Sequence, residues 1–498
     1  MEAVIRVPNV EWRQLTPLLI LIGGALVVLM AGTFFRGRKI AWLYSAMTVA
    51  LGLGGLVASA FIWDRVGGPG GAPELAVAGA LVIDGFSVFF TVVVCSAVVL
   101  GALLADGYLR REHMDAPEFY VLMLLSASGG ILMAMANDLI VVFLGLEILS
   151  IALYVLAGYN RRRAESQEAA IKYFVLGAFS SAFFLYGVAL VYGATGSTNL
   201  SWIGAFVRND TATSGLLLGG IAFLIVGLGF KVAAVPFHMW TPDVYQGSPT
   251  PVTGFMAAAA KAAGFAALLR IFLTAFYTQP LLLDWRPIIW AVAVLTLIVG
   301  SVLAVVQSDV KRMLAYSSIG HAGYVFVGLQ AATDRGLAGS LFYLLAYTFM
   351  ILGSFAVITV IGRRGDGSHS IDSYKGLARS SPGLAFVFTV FLLAQAGIPL
   401  TSGFLAKFYV ISAAVETHSY AIAIVAMLAA VIAAFVYLRL IVVMYMGADS
   451  EEAVTRAPMP VGTGLALGIA LAFTVVVGFL PQVVFDFARD AAFLRLLI

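Results

Sequence analysis

The chain has 498 residues, of which 61% are hydrophobic and only 11% are charged. A soluble protein carries about 25% charged residues, so this composition excludes an ordinary soluble enzyme and predicts an all-α polytopic membrane protein. The net charge of +3 is too small and too dispersed for a nucleic-acid-binding protein. The single cysteine, Cys95, excludes a disulfide or a cysteine-ligated cluster within this chain.

The sequence lacks the glycine-rich dinucleotide fingerprint, the P-loop and the HExxH zinc motif. Redox or nucleotide chemistry is therefore expected on partner subunits and not on this chain. The N-terminus has neither a basic n-region nor a small-residue cleavage site, so we expect the first apolar run to remain as a membrane helix.

Apolar runs of about 20 residues, the length that crosses a ~30 Å hydrocarbon core, recur fourteen times along the chain. They lie near residues 17–35, 41–62, 81–104, 118–136, 138–158, 170–193, 216–237, 251–273, 286–307, 312–331, 338–361, 383–413, 420–446 and 460–481. The run at 383–413 is too long for one straight helix and contains Pro399, so we predict a discontinuous helix there. The Gly/Pro-rich stretch at 67–74 predicts a flexible outer loop.

An even number of spans places both termini on the same side of the membrane. With the termini outside, the inner loops hold fifteen basic residues and the outer segments hold eight. Lysine and arginine are enriched in cytoplasmic loops, so the sequence predicts both termini on the outer side.

Residues 227–265 place two lysines in consecutive apolar spans. Lys261 has at least eight mostly small or apolar residues on each side, whereas Lys231 is less central. A lysine at the bilayer centre costs about 2.5–3.5 kcal/mol, so such residues predict a functional site. The alternative for Lys231 is that its side chain snorkels to the interface. Pro236 breaks the first of these spans, either as a hydrated point in a transport path or as an ordinary kink.

One carboxylate, Glu147, lies deep in a predicted span. It should be protonated or face a cation, with Lys231 as the best candidate and Lys172 as a less favoured one. His321 is either a proton relay between lysines, since imidazole both donates and accepts, or a packing residue.

Lys407 lies well inside the second half of the broken run at 383–413. His238 follows Pro236 near the inner end of its span and is a weaker candidate for proton transfer. Three further basic residues near span ends have side chains long enough to reach the interface: Lys172, Arg270 and Arg439.

Two sets of five spans share a plan, because in each set the fourth span is broken by a proline and carries a lysine. The pairs are Lys231 with Pro236 and Lys407 with Pro399. Adjacent units with an odd number of spans have opposite orientations, which is the inverted-repeat plan of many transporters. The predicted division is a three-helix segment at 1–117, the first repeat at 118–273, the second repeat at 286–446, and a C-terminal helix and tail at 460–498.

Three stretches carry a family resemblance: KVAAVPFHMWTPDVYQGSPTPVT at 231–253, DVKRMLAYSSIGHAGY at 309–324 and AGIPLTSGFLAKF at 396–408. Together they resemble the antiporter-like membrane subunits of respiratory complex I, over roughly residues 118–446. Those subunits are similar to subunits of multisubunit cation/proton antiporters and membrane-bound hydrogenases.

The resemblance implies proton transfer by a glutamate on the fifth span, lysines on the seventh and eighth, and a charged residue on the broken twelfth. Glu147, Lys231, Lys261 and Lys407 occupy these positions. It also implies a bacterial plasma (inner) membrane location, with the lipid bilayer and other subunits of the complex as partners. NADH, FMN, iron–sulfur clusters and quinone would then be bound by partner subunits, with no cofactor or metal on this chain.

The mechanism that we expect relies on charge spacing. Burial disfavours the charged form of a lysine, and a nearby carboxylate restores it. If Glu147 withdraws from Lys231, the proton can pass along Lys261, with water and His321, toward Lys407 and the outer side. The alternative function is that of a cation/proton antiporter subunit driven by an ion gradient, without a redox partner.

Overall fold

The computed structural model describes residues 10–34, 41–67, 70–209, 214–362, 365–367, 369–447 and 459–492. In this part of the chain, eleven helices are long and apolar enough to cross a membrane. Two shorter apolar helices, Gly215–Lys231 and Pro382–Ala396, are each followed by a non-helical segment that interrupts a predicted span. The chain is therefore a multi-span, predominantly helical membrane protein.

The first half of the chain contains eleven α-helices, numbered in chain order. They are α1 (Thr16–Phe34), α2 (Ala41–Val66), α3 (Gly85–Glu112), α4 (Pro117–Met135), α5 (Leu139–Ala157), α6 (Ala164–Thr195), α7 (Leu200–Asn209), α8 (Gly215–Lys231), α9 (Trp240–Gly247), α10 (Thr250–Phe255) and α11 (Lys261–Arg270). A π-helical turn at Met256–Ala260 joins α10 to α11, and a second at Ile271–Ala275 extends the same span.

The second half contains nine α-helices and one 3₁₀ turn, Ile371–Tyr374. The helices are α12 (Gln279–Val305), α13 (Val310–Ala331), α14 (Asp334–Ile361), α15 (Leu377–Ser380), α16 (Pro382–Ala396), α17 (Ser402–Glu416), α18 (Tyr420–Met446), α19 (Val461–Phe479) and α20 (Gln482–Ala491). Helix α14 is enclosed by its neighbours along nearly its whole length, whereas α1, α2, α6, α18 and α19 expose apolar side chains at the periphery.

A small β-hairpin precedes α3, where a membrane span was expected to begin at residue 81. Strand β1 (Glu74–Ala76) pairs antiparallel with β2 (Leu81–Ile83). Asp84 then starts α3 with a capping box that it forms with Ser87, so the span begins only at Gly85. The predicted boundary at 81 was wrong because the residues of β2 are as apolar as those of the helix that follows. Hydropathy alone therefore does not separate the strand from the span. Part of the predicted flexible loop at 67–74 lies outside the described residues.

The first helix is broken around Pro236, as the sequence predicts. Helix α8 ends at Lys231, and Ala233 has a φ of +62°, a left-handed conformation that cannot continue a helix. Pro236 lies in the middle of the non-helical segment 232–239. The predicted break beside the buried Lys231 is therefore confirmed.

The second break confirms a discontinuous helix in the run 383–413. Helix α16 ends where Gly397 adopts a left-handed conformation, with a φ of +88°, and Pro399 follows two residues later. Helix α17 restarts after Thr401, whose hydroxyl accepts a hydrogen bond from the amide of Phe404.

Candidate functional site

The three lysines predicted at membrane depth all lie in the protein interior. The exposed fraction is 4% for Lys231, 3% for Lys261 and 6% for Lys407. The alternative that Lys231 snorkels to the interface is therefore wrong.

Lys231 is the last residue of α8, and its ammonium group has two neutral hydroxyl partners. Nζ donates to Ser150 Oγ at 2.9 Å and to Tyr173 OH at 3.0 Å. These partners come from α5 and α6, so three helices meet at this ammonium group. Its position is thus fixed by hydroxyl oxygens, which can themselves carry a proton in a hydrogen-bonded chain.

Trp240 supports this arrangement from the far side of the helix break. Its indole stacks on the Tyr173 ring, with centroids 4.4 Å apart, and its Nε1 donates to the carbonyl of Phe230 at 2.9 Å. Within the break, the amide of Val235 donates to Thr296 Oγ1 on α12 at 3.0 Å. The interrupted backbone at Lys231 is therefore held by side chains of packed neighbours, as buried non-helical backbone in a membrane protein requires.

Glu147 makes no direct salt bridge with Lys231 or Lys172 among the described residues, but its charge acts on Lys231 through space. It is partly buried, and its Oε1 accepts a hydrogen bond from Ser181 on α6. On α5 it lies between the exposed Leu144 and Ile151 on one side and the buried Ser150, a partner of Lys231, on the other. The glutamate is thus at the edge of the buried face of α5, and its coupling with Lys231 stays a prediction.

Lys172 lies instead in a charged group at the rim of the molecule. Its Nζ is 2.7 Å from Asp243 Oδ2 and 2.6 Å from Glu168 Oε1, and Arg312 reaches the other oxygen of Asp243 at 2.5 Å. Although partial burial raises the pKa of Asp243, its hydrogen bonds with these two cations lower it below the usual value. Lys172 is therefore a surface ion-pair residue and not the partner of Glu147.

Lys261 begins α11 directly after the π-helical turn, in the centre of the molecule. Its Nζ donates to the backbone carbonyl and the hydroxyl of Ser318 on α13, and it lies 5.8 Å from the centre of the Tyr347 ring. Gly264 allows the end of α8 to approach, since a Cβ at this glycine would lie only 2.7 Å from Val232 Cγ1. The end of α8 and the span that carries Lys261 are thus in direct contact.

His321 lies on α13, one turn after Ser318, and both of its ring nitrogens have hydroxyl partners. Nδ1 is 2.6 Å from Tyr343 OH and Nε2 is 3.2 Å from Tyr437 OH. The hydroxyl of Tyr437 also bonds to Ser317. A histidine between two hydroxyls can accept a proton on one nitrogen and release it from the other.

Lys407 lies on α17 and reaches back across the second helix break. Its Nζ donates to the carbonyls of Gln395 and Ala396, both at 2.9 Å, and so satisfies acceptors at the end of α16. A cavity of about 20 Å³ separates it from His321 and is also lined by Ser301, Ser317 and Tyr437. This volume accommodates one water molecule, because a single water needs about 10–15 Å³.

His238 lies outside this line of residues. It is half-buried in the segment between α8 and α9, and its Nδ1 has no hydrogen-bond partner among the described residues. The structure places it beside the break at Pro236, without a contact to any of the three lysines.

Sequence reasoning missed a buried ion pair between Arg270 and Asp84. The guanidinium group binds both carboxylate oxygens, at 2.9 and 2.8 Å, and donates through Nε to the carbonyl of Ala134. Arg270 therefore does not reach the interface, and no local sequence signal points to its partner, which lies 186 residues away. Arg439 instead bonds to the carbonyls of Val305 and Gln307, at the end of α12.

Asp366 forms a second buried charge cluster that the sequence did not reveal. It is fully buried and bonds to His369 Nε2 at 2.8 Å and Thr250 Oγ1 at 2.7 Å, and Lys311 Nζ lies 3.3 Å away. Although burial raises it, the Lys311 ammonium and the His369 hydrogen bond hold the pKa of Asp366 well below its usual range. The carboxylate is therefore ionised at neutral pH.

The three lysines and His321 thus form a series of buried titratable groups, and a water-sized cavity lies between His321 and Lys407. Among the described residues, no group of three or more His, Cys, Asp or Glu is arranged to hold a metal ion.

The family described as NADH:quinone oxidoreductase/Mrp antiporter, TM, matches residues 136–433 of this chain. An NADH-quinone oxidoreductase subunit N from Trichlorobacter lovleyi is 45% identical over 416 residues, which covers 83% of this chain and 84% of the relative. A subunit N from Rhodococcus opacus is 42% identical and covers 99% of this chain and 97% of its own length.

Solved structures show the same relationship. A chain of respiratory complex I from Thermus thermophilus with bound Aureothin has a TM-score of 0.79 and 32% identity, covering 94% of this chain and 98% of its own. A chain of an archaeal membrane-bound sulfane sulfur reductase has a TM-score of 0.84 and 26% identity, with 96% of each chain covered. From the match over 136–433 and the identity along nearly the whole length, the chain belongs to the NADH:quinone oxidoreductase/Mrp antiporter family of membrane subunits.

Proposed function

We propose that this chain is the N-type membrane subunit of an NADH:quinone oxidoreductase and that it translocates protons while quinone is reduced on partner subunits. The observation that carries this proposal is the interior line of Lys231, Lys261 and Lys407, each buried without a carboxylate partner. Holding three such lysines in a membrane protein is costly, and proton transport is a function that requires them.

The residues of this line have different roles in the proposal. Lys231 and Lys261 exchange protons in the first half of the path, and His321 passes them through the water-sized cavity to Lys407. Glu147 controls the first step: when it is close to Lys231 it favours the charged lysine, and when Ser181 holds it away it favours release.

We also infer fourteen spans with both termini on the outer side of a bacterial plasma membrane. The eleven long apolar helices, the two interrupted elements that begin with α8 and α16, and α13 add up to this number. The sets 118–273 and 286–446 would then be inverted repeats, because in each the fourth span is interrupted and carries a lysine.

In this proposal NADH, FMN, the iron–sulfur clusters and quinone all bind to partner subunits. The chain contributes no redox group of its own, and redox energy reaches it through movement of charges at its boundary with its neighbours. Lipid and the other subunits of the complex are its partners, and the proton is the transported species.

A second candidate is a subunit of a cation/proton antiporter or of a membrane-bound hydrogenase-like complex. It is favoured by fold similarity, because a chain of an Mrp complex from Dietzia has a TM-score of 0.82 at 21% identity. The sequence favours the first candidate, since the relatives that are 40–45% identical are all subunits N.

Co-purification distinguishes the two candidates. A tagged copy of this chain, solubilised in a mild detergent, should carry flavin and iron–sulfur absorbance and should support NADH-driven proton uptake in inverted vesicles. A complex that lacks both chromophores but exchanges sodium for protons would contradict the proposal and support the antiporter function.

A further inference from the structure

An open, polar cavity of about 500 Å³ lies at the end of the molecule where α6, α10 and α13 begin. Its lining includes the carboxylates Glu165, Glu168, Asp243 and Asp309, of which the first three pair with the lining cations Arg163 and Lys172. By the orientation inferred above, this end faces the inner side of the membrane, from which protons must be taken up. A lining of this kind holds protons and water close to any acceptor within it.

His369 lies in the wall of this cavity and has one unused nitrogen. The residue is 3% exposed, and its Nδ1 has no hydrogen-bond partner among the described residues. Its Nε2 lies 2.8 Å from Asp366 Oδ1. Because Asp366 is ionised, Nε2 carries the hydrogen of the neutral ring, and Nδ1 therefore presents a free lone pair. Buried polar atoms without a partner are rare and call for a functional explanation.

Asp366 connects His369 to the span that carries Lys261. Its carboxylate accepts hydrogen bonds from the hydroxyl and the amide of Thr250, the first residue of α10. Lys261 is eleven residues further along this span, roughly 16 Å at a rise of 1.5 Å per residue. Thr250 and Lys261 thus lie on one span, which gives the proposed route its direction, from the cavity toward the line of lysines.

We propose that the His369–Asp366 pair is a proton-uptake site, which collects protons from the inner aqueous phase and delivers them toward Lys261. This inference rests on the proposed function, since it supplies the protons that the lysines transport. The site consists of a cavity and a histidine that have no role in the proposed transfer between the lysines.

The transfer can be written with all protons accounted for. A hydronium ion in the cavity loses a proton, which forms the Nδ1–H bond of His369 and leaves water. The imidazolium then breaks its Nε2–H bond, and this proton binds Asp366 Oδ1, which leaves a neutral ring with its hydrogen on Nδ1 and a neutral carboxyl group. Asp366 next releases the proton to a water molecule on the way to Lys261 and becomes a carboxylate again. Lys311 and Arg163 also face Asp366, at 3.3 and 3.4 Å. Their positive charges disfavour a lasting imidazolium, so the site passes protons on instead of storing them.

The test uses the whole complex in inverted membrane vesicles, in which the inner face and its cavity are open to the medium. His369→Gln keeps an N–H donor for Asp366 but cannot carry a proton, and His369→Ala leaves space for free imidazole. Each variant is expected to lower NADH-driven proton uptake at least about threefold. This is well below the ~10²–10⁴-fold effect that a positioned proton-transfer group can have. Added imidazole should restore uptake in His369→Ala and not in His369→Gln.

His418→Ala is the matched control, because His418 is a distant, exposed histidine that bonds to Tyr420. Normal uptake in an assembled His369→Gln complex, or a loss in His369→Ala that imidazole does not restore, overturns the proposal. An equal loss in the control overturns it as well. Lys261→Ala is measured in parallel: if it fails to pump while His369→Gln pumps normally, only the uptake site is wrong. If Lys261→Ala pumps normally, the proposed lysine path is wrong.

Discussion

The buried cations of this chain fall into two groups according to their partners. Arg270 and Lys311 each face a carboxylate, which favours their charged forms. The ammonium groups of Lys231, Lys261 and Lys407 donate to hydroxyl and carbonyl oxygens, which hold the group without fixing its charge. We therefore expect the partner of a buried cation, more than its depth, to decide whether the cation itself gives up its proton.

Replacing Lys407 by arginine tests this distinction. Lys407→Arg should keep donating to the carbonyls at the end of α16, so the complex should assemble. Arginine effectively does not lose its proton, so NADH-driven proton uptake into inverted vesicles should fall at least about tenfold. Lys375→Arg is the control, because Lys375 is a half-exposed lysine paired with Asp372. Normal pumping by assembled Lys407→Arg would remove this residue from the path.

Replacing Arg270 by methionine should act on stability instead. The change leaves Asp84 buried and uncompensated, which costs about 3–5 kcal/mol. The matched change Arg335→Met affects an exposed pair with Glu416 and should cost about 0–1 kcal/mol. The measurement is the fraction of assembled complex that survives a graded heat challenge. Equal survival of the two variants would mean that the buried pair contributes little.

At the scale of elements, the sequence predicted both helix breaks, because proline and glycine interrupt apolar runs of known length. It did not predict how far the first break extends, since a left-handed conformation at Ala233 is set by packing and not by a residue preference. It also did not predict that Glu147 lies at the edge of the buried face of α5, because an apolar helix gives no sign of which face meets its own chain. The partners of Lys231 were equally hidden, since serine and tyrosine are common on membrane helices.

The relation between α5 and α8 can be measured with a double-mutant cycle. Glu147→Ala and Lys231→Ala should each lower proton uptake, and the double mutant should lose less than the sum of the two free-energy changes, because both residues act in one step. The same cycle with Glu147→Ala and Lys375→Ala should be additive within about 0.3–0.5 kcal/mol. Strict additivity between Glu147 and Lys231 would mean that the two residues do not interact.

On the scale of the whole molecule, hydropathy and segment length predicted a helical membrane protein, because the bilayer imposes them on every span. The charge clusters around Asp84 and Asp366 were not predictable, since each joins residues that are far apart in sequence. Asp366, for example, bonds to Thr250, which lies 116 residues away. Such contacts depend on which helices are neighbours, and amphipathic patterns are too weak in buried spans to indicate this.

The orientation of the whole chain can be tested by cysteine labelling. Ser370→Cys places a thiol on an exposed position of the predicted inner loop 363–379, and the native Cys95 is buried and should stay unlabelled. An impermeant maleimide should label Ser370→Cys in inverted vesicles and not in intact cells. Gln279→Cys, exposed on the predicted outer side, should give the opposite pattern. Labelling of position 370 in intact cells would reverse the topology.

The partly buried glutamate has a consequence for the assembly of the complex. Glu147 is the ninth residue of the 19-residue helix α5, close to the bilayer centre, and its neighbours Leu144 and Ile148 are exposed. An ionised side chain at this depth costs about 2.5–3.5 kcal/mol, so incomplete burial of the carboxylate destabilises the chain on its own. A neighbouring subunit that covers this face of α5 would lower that cost. We therefore expect assembly of the complex to stabilise this chain in the membrane.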